Sequence, residues 1–199
     1  MMEENLVQLD PSRTAVVVVD LQLGVVKRKF VPYTGSEVVA NAARLLTTAR
    51  KCGATIVLVH VDGSGDGQDR LVPDADVIVR RDSLPSDYSV LSPELQHQPS
   101  DIVVVKRNWG AFYGTDLDLQ LRRRKLSTLV MLGIAAEFGV ESTARDAMER
   151  TYRQVFVSDA VASFFQESYD NCIKRIYPRM GFVRTTDQVI ASLNAGAQA

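Results

Sequence analysis

Short, uninterrupted runs of apolar residues recur along this chain and leave few folds open to it. The run at 14–20 reads TAVVVVD and ends on a carboxylate after five apolar residues. Such runs are typical of strands that are buried on both faces, as in parallel sheets. We predict strands at 14–20, 54–61, 101–106, 127–133 and 154–160, with a shorter one at 181–185.

Segments with helical periodicity separate these runs. At 36–53 the apolar residues recur at helical spacing, with Ser36 as the expected N-cap and Gly53 as the stop. Strands that alternate with helices need crossover connections, which produce a parallel sheet. The prediction is an α/β fold, a three-layer α/β/α sandwich with a six-stranded parallel sheet, in one domain over 1–199. The other helices are predicted at about 116–125, 140–151, 167–177 and 186–194, with a short helix from Ser92 and mostly loop at 62–86.

Composition narrows the possible functions. The 199 residues include 46% apolar and 24% charged side chains, and the formal net charge is −1, which argues against a general nucleic-acid surface. Two cysteines make no disulfide framework, and the first ten residues lack the pattern of a cleavable signal. Apolar runs of five to eight residues are far shorter than the roughly 20 that span a bilayer. We expect a cytoplasmic protein with no nucleic-acid or membrane partner.

Polar residues follow several of the predicted strands. In an open parallel sheet the ligand lies beyond the carboxyl ends of the strands, which directs attention to Asp20, Lys106 and the turn at 133–139. A carboxyl group placed like Asp20 is partly desolvated, which raises its pKa unless a cation such as Lys106 lies beside it. The two could form an acid/base pair. Alternatively, Asp20 caps a loop and Lys106 extends into solvent.

The loop after the third predicted strand is rich in aromatic residues. Trp109, Phe112 and Tyr113 occur within five residues, between two glycines. Aromatic side chains usually belong to the core, but this cluster at a strand end suggests the wall of a pocket. Thr115 is the expected N-cap of the helix that follows.

Three motifs in a fixed order carry a resemblance to a known family. They read AVVVVDLQ from 15, VVKRNWGAFYGTDLDLQLR from 104 and LGIAAEFGVESTARDA from 132. Over nearly its whole length the chain resembles the isochorismatase-like hydrolases, also called the cysteine hydrolase superfamily. That resemblance implies a catalytic triad of Asp, Lys and Cys. Asp20 and Lys106 match the first two members, whereas Gly139 stands at the position of the nucleophilic Cys.

This departure bears on the chemistry that the resemblance implies. Members that hydrolyse amides attack with a thiolate, which Gly139 cannot supply, and Cys52 and Cys172 lie on predicted helices as packing residues. The isochorismatases proper also carry a small residue there and hydrolyse a vinyl ether without a protein nucleophile. In that reading Asp20 is the general acid and the small Gly139 makes room for substrate or water. VESTARDA resembles another branch of the family, so the substrate stays open, and a catalytically silent binding or scaffold protein is the alternative.

The resemblance also implies a set of supporting residues. The peptide bond between Ile134 and Ala135 matches one that is often cis in relatives, and the backbone N–H groups of Ala135 and Gly139 match an oxyanion hole. Gln22 borders the pocket or orients its loop through hydrogen bonds. Glu137 is either a second carboxylate that activates water or a surface or interface residue.

No metal or cofactor is expected. His60 and Asp62 stand in the wrong order for the metal motif of nicotinamidases, and His97 is remote in sequence. The GSGDG stretch lacks the spacing of a phosphate-binding loop. Arg80 and Arg81 either clamp a substrate carboxylate or lie on the surface. The partners that we expect are a small-molecule substrate and, from the resemblance, further copies of the chain in a dimer or tetramer.

Overall fold

The computed structural model describes residues 6–77 and 84–198. Six parallel strands form one sheet in the order β3-β2-β1-β4-β5-β6, which confirms the predicted fold class. The strands are β1 (Thr14–Val19), β2 (Thr55–Val61), β3 (Ile102–Lys106), β4 (Thr128–Ile134), β5 (Arg153–Ala162) and β6 (Phe182–Arg184). The helices are α1 (Leu23–Val26), α2 (Gly35–Lys51), α3 (Leu117–Arg123), α4 (Glu141–Glu149), α5 (Gln166–Asn171) and α6 (Thr186–Gly196).

The two central strands are the most apolar part of the core. Every residue of β1 and of β4 is buried, as expected for strands covered on both faces. From β1 the chain moves outward through β2 to β3, and from β4 it moves the other way through β5 to β6. Because such crossovers are right-handed, α2 and α4 lie on opposite faces of the sheet. The strand order therefore reverses between β1 and β4, where a ligand crevice is expected in this architecture.

Several helix ends differ from the sequence prediction. Thr34, not Ser36, caps α2: its hydroxyl accepts from Glu37 N–H, and the Glu37 carboxylate returns to Thr34 N–H. This reciprocal capping box satisfies two free N–H groups, so the helix begins earlier than its apolar periodicity suggests. Gly53 does end the helix, with a φ of 82°. The short helix α1 was not predicted from the sequence.

The predicted helices 140–151 and 167–177 are shorter and less regular than expected. A π-helical turn at Ala136–Val140 precedes α4, and a second one at Cys172–Ile176 follows α5 and leads into a 3₁₀ turn at Tyr177–Arg179. The two π turns are joined, because the Tyr177 hydroxyl donates to the carbonyl of Ala136 at 2.8 Å. Extra residues of this kind in a helix often mark functional sites.

Candidate active site

Asp20 occupies the carboxyl end of the central strand β1. Its backbone turns sharply there, with a φ of 56°, and its N–H donates to the carbonyl of Val59 at 2.8 Å. The residue is 8% exposed, so its carboxyl group is almost fully removed from water. Beside it, β4 approaches β1 closely at Gly133, where an added Cβ would lie 2.0 Å from the carbonyl oxygen of Val19. The sequence places a carboxylate at the switch point of the sheet.

Lys106 reaches Asp20 from the end of β3. Its Nζ lies 2.8 Å from Asp20 Oδ2 and donates to the carbonyl of Trp109 at 2.6 Å. Only 1% of the residue is exposed, so the alternative in which it extends into solvent is wrong. Because β2 lies between β1 and β3, the Lys106 side chain spans the width of β2 to reach Asp20. The predicted pair is therefore present.

The pair leaves the Asp20 carboxyl group in an unusual electrostatic state. Burial raises the pKa of this group above its ordinary value, and the charge and hydrogen bond of Lys106 oppose that rise. Asp20 Oδ1 is also buried and makes no hydrogen bond of normal geometry with any described residue. Lys106 therefore holds one oxygen, while the other makes no bond of normal geometry, although the backbone of Val61 also lowers the pKa of the carboxyl group.

Gly139 lies directly against this pair, inside the π turn after β4. An added Cβ would lie 3.0 Å from Asp20 Oδ2 and 3.2 Å from Lys106 Nζ. These contacts are tighter than ordinary van der Waals contacts, so a side chain at this position would require the pair to shift by a few tenths of an ångström. That Gly139 makes room for substrate or water stays a prediction.

The backbone before Gly139 has the predicted unusual peptide. The bond between Ile134 and Ala135 is cis, and Ala135 is buried. The carbonyl of Ala135 accepts from the N–H groups of Phe138 and Val140, each at 3.2 Å, which closes the turn. The assignment of the Ala135 and Gly139 N–H groups to an oxyanion hole stays a prediction.

Gln22 acts on the loops around the site. Its Nε2 donates to the carbonyls of Val61 and Tyr88, at 2.9 and 2.8 Å, and its Oε1 accepts from Val61 N–H at 2.8 Å. The side chain is fully buried, so its amide group is committed to these bonds and does not line the pocket. Of the two predicted roles, the structure supports the orientation of the loop.

The aromatic loop divides into two parts. Trp109 is 53% exposed and its ring lies 4.8 Å from that of Phe138, next to Gly139, so the Trp109 part of the predicted pocket wall stands at the site. Phe112 contradicts the prediction, because it is only 5% exposed and packs against Tyr152. The guanidinium of Arg150 also covers its ring. Both partners lie at the start of β5, at the opposite end of the sheet, so Phe112 is a core residue.

A row of rings continues from Trp109 around the site. Ring centroids are 6.1 Å apart for Phe138 and Phe164 and 4.9 Å apart for Phe164 and Phe30, and the guanidinium of Arg28 lies 4.6 Å above the Phe164 ring. The sequence carries no direct sign of this row, because its members come from four separate segments of the chain. Trp109 and Phe138 each precede a glycine, and Phe164 follows the end of β5, whereas Phe30 carries no such signal.

Glu137 connects two segments of the aromatic row. Its Oε1 accepts from the N–H of Phe164 at 3.1 Å, and its Oε2 is buried without a hydrogen bond to any described residue. It therefore ties the π turn to the loop after β5. The two predicted roles, a carboxylate that activates water and a surface or interface residue, stay predictions beside this contact.

The two thiols make their contacts with residues other than Asp20. Cys52 follows α2, and its Sγ lies 3.5 Å from Asn194 Oδ1. Cys172 is buried, and its Sγ lies 3.4 Å from Glu141 Oε2. Burial and the nearby carboxylates raise the pKa of the Cys172 thiol to about 12, so it stays protonated and unreactive. The prediction that both are packing residues is supported.

The remaining candidates do not assemble into a site. Burial lowers the pKa of His60, against the charge of Asp62, while His97 is exposed. Across 6–77 and 84–198 no three His, Cys, Asp or Glu side chains come together as a metal cluster. Arg80 and Arg81 lie outside the described residues. No helix in the described part of the chain has the length and apolar character to cross a membrane.

Comparison with known proteins agrees with this fold. The isochorismatase domain model matches residues 14–188, so the chain belongs to the isochorismatase family. It is 42% identical over 188 residues to the uncharacterized isochorismatase family protein YwoC of Bacillus subtilis, covering 94% of this chain and 97% of that protein. A solved isochorismatase family protein from Burkholderia thailandensis superposes with a TM-score of 0.91 at 40% identity, covering 96% of this chain and all of that one.

More distant relatives carry named activities of two kinds. A ureidoacrylate amidohydrolase, RutB, from Rhizobium rhizogenes is 29% identical over 96% of this chain and 87% of its own length. A probable isochorismatase from Pseudomonas chlororaphis is 30% identical over 94% of this chain and 90% of its own length. The first name is that of an amidohydrolase and the second that of a probable isochorismatase.

Proposed function

We propose that this protein is a hydrolase that cleaves a small carboxylated metabolite, such as an isochorismate-like vinyl ether, by acid/base chemistry without a protein nucleophile. One observation carries the proposal: the buried Asp20 carboxyl group contacts Lys106 at 2.8 Å, with a glycine packed against both. A carboxyl group whose pKa is raised by burial is suited to donate a proton near neutral pH. Gly139, at the position where the family has its Cys, offers no group that could form a covalent intermediate.

The proposed reaction balances with water as the only co-reactant. The Asp20 carboxylic acid transfers its proton to the terminal alkene carbon, and an oxocarbenium ion forms at the carbon that bears the ether oxygen. Water adds to that carbon and returns a proton to the Asp20 carboxylate. The hemiketal then collapses, breaking the bond between carbon and the ether oxygen, and yields a ketone such as pyruvate and an alcohol.

Lys106 has two tasks in this scheme. Its ammonium group positions Asp20 Oδ2, but it also lowers the pKa of the acid that must be protonated. A substrate carboxylate near Lys106 would offset that charge and favour the protonated form of Asp20 when the substrate is bound. The protonated form of Asp20 is thereby populated chiefly in the complex.

The aromatic row supports a substrate with a planar or cyclic part. Trp109 and Phe138 border Gly139 and offer ring faces on which an unsaturated ring can pack. The backbone that carries Phe164 is held to the π turn by its N–H, which donates to the Glu137 carboxylate. A cyclic carboxylated substrate would therefore meet an apolar wall and, at its reactive end, the acid.

The alternative is a catalytically silent binding or scaffold protein of the same fold. The missing nucleophile favours it, whereas the intact and nearly water-free pair of Asp20 and Lys106 disfavours it, because an unused buried charge pair is costly to maintain. A cytoplasmic location and a dimer or tetramer remain predictions, which fractionation of cells and light scattering of purified protein would test.

Turnover of isochorismate tests the proposal. We expect pyruvate release by the purified protein, measured with a coupled lactate dehydrogenase assay, and loss of that release in Asp20→Asn. Ureidoacrylate is assayed in parallel for ammonia release. Turnover of ureidoacrylate but not isochorismate would overturn the vinyl ether chemistry, and tight binding without turnover of either, unaffected by Asp20→Asn, would favour the silent protein.

A further inference from the structure

Thr143, a residue outside the family triad, joins two of the strand ends that form the site. It lies in the first turn of α4 and is fully buried. Its hydroxyl donates to the carbonyl of Gly139 at 2.7 Å and accepts from the N–H of Ala111 at 3.1 Å. A hydroxyl has one donor and two acceptor positions, so both bonds form without conflict.

The two partners of Thr143 lead to the two sides of the catalytic pair. Gly139 is packed against Asp20 and Lys106. Ala111 belongs to the loop after β3, in which the carbonyl of Trp109 holds Lys106 Nζ at 2.6 Å. The chain of contacts therefore runs from Lys106 through Trp109 and Ala111 to the Thr143 hydroxyl, and from there to Gly139.

The loop between these contacts has little freedom to adjust. An added Cβ at Gly110 would lie 3.1 Å from Asp146 Oδ2, so the loop lies directly against α4. A Cβ added at Gly139 would lie 3.0 Å from Asp20 Oδ2 and 3.2 Å from Lys106 Nζ. Because the space is this narrow, small movements of the π turn would be felt by both side chains. The position of the pair depends on where α4 holds these two segments.

We propose that the Thr143 hydroxyl is a positioning residue that holds the Lys106 loop and the Gly139 turn at the separation that keeps Lys106 in contact with Asp20. The alternative is that Thr143 has no special role and is a buried threonine that donates to the carbonyl four residues earlier, as many helical threonines do. That alternative explains the bond to Gly139 but assigns no role to the bond from Ala111. It also predicts no effect of the hydroxyl on Asp20.

The test follows the titration of Asp20 and needs no substrate. Protein labelled with ¹³C at aspartate carboxyl groups is titrated by NMR, with Asp20→Asn for the assignment. Lys106 is the charged side chain that acts on Asp20 among the described residues, whereas Arg107 and Asp62 act on His60. If Thr143→Val loosens Lys106, Asp20 loses the charge that lowers its pKa, and its midpoint rises by about half a pH unit or more.

Two variants make the result specific. Thr143→Ser keeps the hydroxyl and should restore the wild-type midpoint. Thr47→Val is the matched control, because Thr47 on α2 makes the same kind of bond to the carbonyl of Ala43, at 2.9 Å, far from the site. It should leave the midpoint unchanged. If Thr143→Val does not fold, Thr143→Ala is compared with Thr143→Ser in the same way.

An unchanged Asp20 midpoint in the folded Val or Ala variant would overturn the inference, as would a Ser variant that shifts as far as Val. The effect of Thr143 on Asp20 can be measured whatever the protein hydrolyses. Only its importance for catalysis rests on the proposed function. A failed turnover assay with a shifted Asp20 midpoint would reject the substrate and keep the positioning role, and the reverse pattern would reject the positioning role alone.

Discussion

Among the described residues, the ion pairs Arg50–Asp101 and Lys106–Asp20 are of almost equal length and have little contact with solvent, yet they differ in how their carboxylates are hydrogen-bonded. Arg50 Nη2 lies 2.7 Å from Asp101 Oδ2, and Lys106 Nζ lies 2.8 Å from Asp20 Oδ2. Both oxygens of Asp101 are used, because Arg50 Nε approaches Oδ1 and the N–H of Gln98 donates to Oδ2 at 2.9 Å.

Asp20 differs because no hydrogen bond of normal geometry from a described residue reaches its second, buried oxygen, although the backbone of Val61 is close enough to lower the pKa of the carboxyl group. A carboxylate whose two oxygens both accept hydrogen bonds has its removal from water compensated. A half-satisfied carboxylate beside a single cation holds its charge at a higher cost and can exchange it for a proton. The candidate acid is therefore distinguished by its incomplete set of hydrogen bonds and not by the presence of an ion pair.

The largest expected effect separates the two aspartates. Asp20→Asn should reduce turnover by about 10²- to 10⁴-fold, because it removes the proton donor. Asp101→Asn should leave turnover of the folded protein unchanged and lower the free energy of unfolding by about 3 kcal/mol, because it breaks a buried pair. Assays beside urea denaturation would measure both, and equal loss of turnover in the two variants would remove the distinction.

Removal of each cation should change the pH profile differently. Lys106 lowers the pKa of Asp20, so Lys106→Met should raise it, and the acid form should persist to higher pH. The falling limb of kcat/KM at high pH should move up by about one pH unit, although the maximum drops because Asp20 is less well positioned. Arg50→Met is the control and should leave the limb in place. A limb that moves down in Lys106→Met would contradict Asp20 as the acid.

A methyl group at position 139 should have a smaller effect. The new Cβ of Gly139→Ala would press on Asp20 Oδ2 and Lys106 Nζ at 3.0 and 3.2 Å, so the pair must shift by a few tenths of an ångström. We expect about a tenfold loss of kcat, since misplacement by a full ångström can cost about a hundredfold. Gly65→Ala, where an added Cβ meets nothing within 4 Å, should change nothing. Full activity of Gly139→Ala would show that the close contact does not matter.

The smallest expected effect concerns the aromatic row. Trp109→Leu should raise KM about fivefold with little change in kcat, because it removes about 1 kcal/mol of ring contact from the pocket wall. Tyr113 is more exposed, at 76%, and Tyr113→Leu serves as the control with unchanged kinetics. A fall in kcat in Trp109→Leu would instead indicate that its carbonyl contact to Lys106 had been disturbed.

The sequence predicts the frame of the site well, because that frame follows from local patterns. The apolar run before Asp20 and the run before Lys106 define two buried parallel strands, and parallel strands bring their carboxyl ends to one edge. The family resemblance added Gly139. These three residues do meet in space, with Lys106 Nζ 2.8 Å from Asp20 Oδ2 and Gly139 beside both.

The misjudged residues depend on tertiary packing that no local pattern records. Phe112 and Trp109 stand three residues apart in one loop, yet Phe112 packs against Tyr152 at the opposite end of the sheet. Glu137 was placed by its distance from Gly139 in sequence, whereas its partner Phe164 lies 27 residues further along the chain. Ser36 lost the N-cap position to Thr34 because a capping box depends on a carboxylate three residues later, which periodicity alone does not weigh.

The left-handed turn at Asp20, with its φ of 56°, also limits which amino acids can stand at the end of β1. Apart from glycine, aspartate and asparagine adopt this backbone conformation most readily. Of those three residues only aspartate can give up a proton. The backbone conformation and the proposed proton transfer therefore each favour aspartate at position 20. Most substitutions there would strain the turn and also remove the acid. Asn is consequently the one substitution that removes the acid while keeping the fold of the turn, so it tests the chemistry alone.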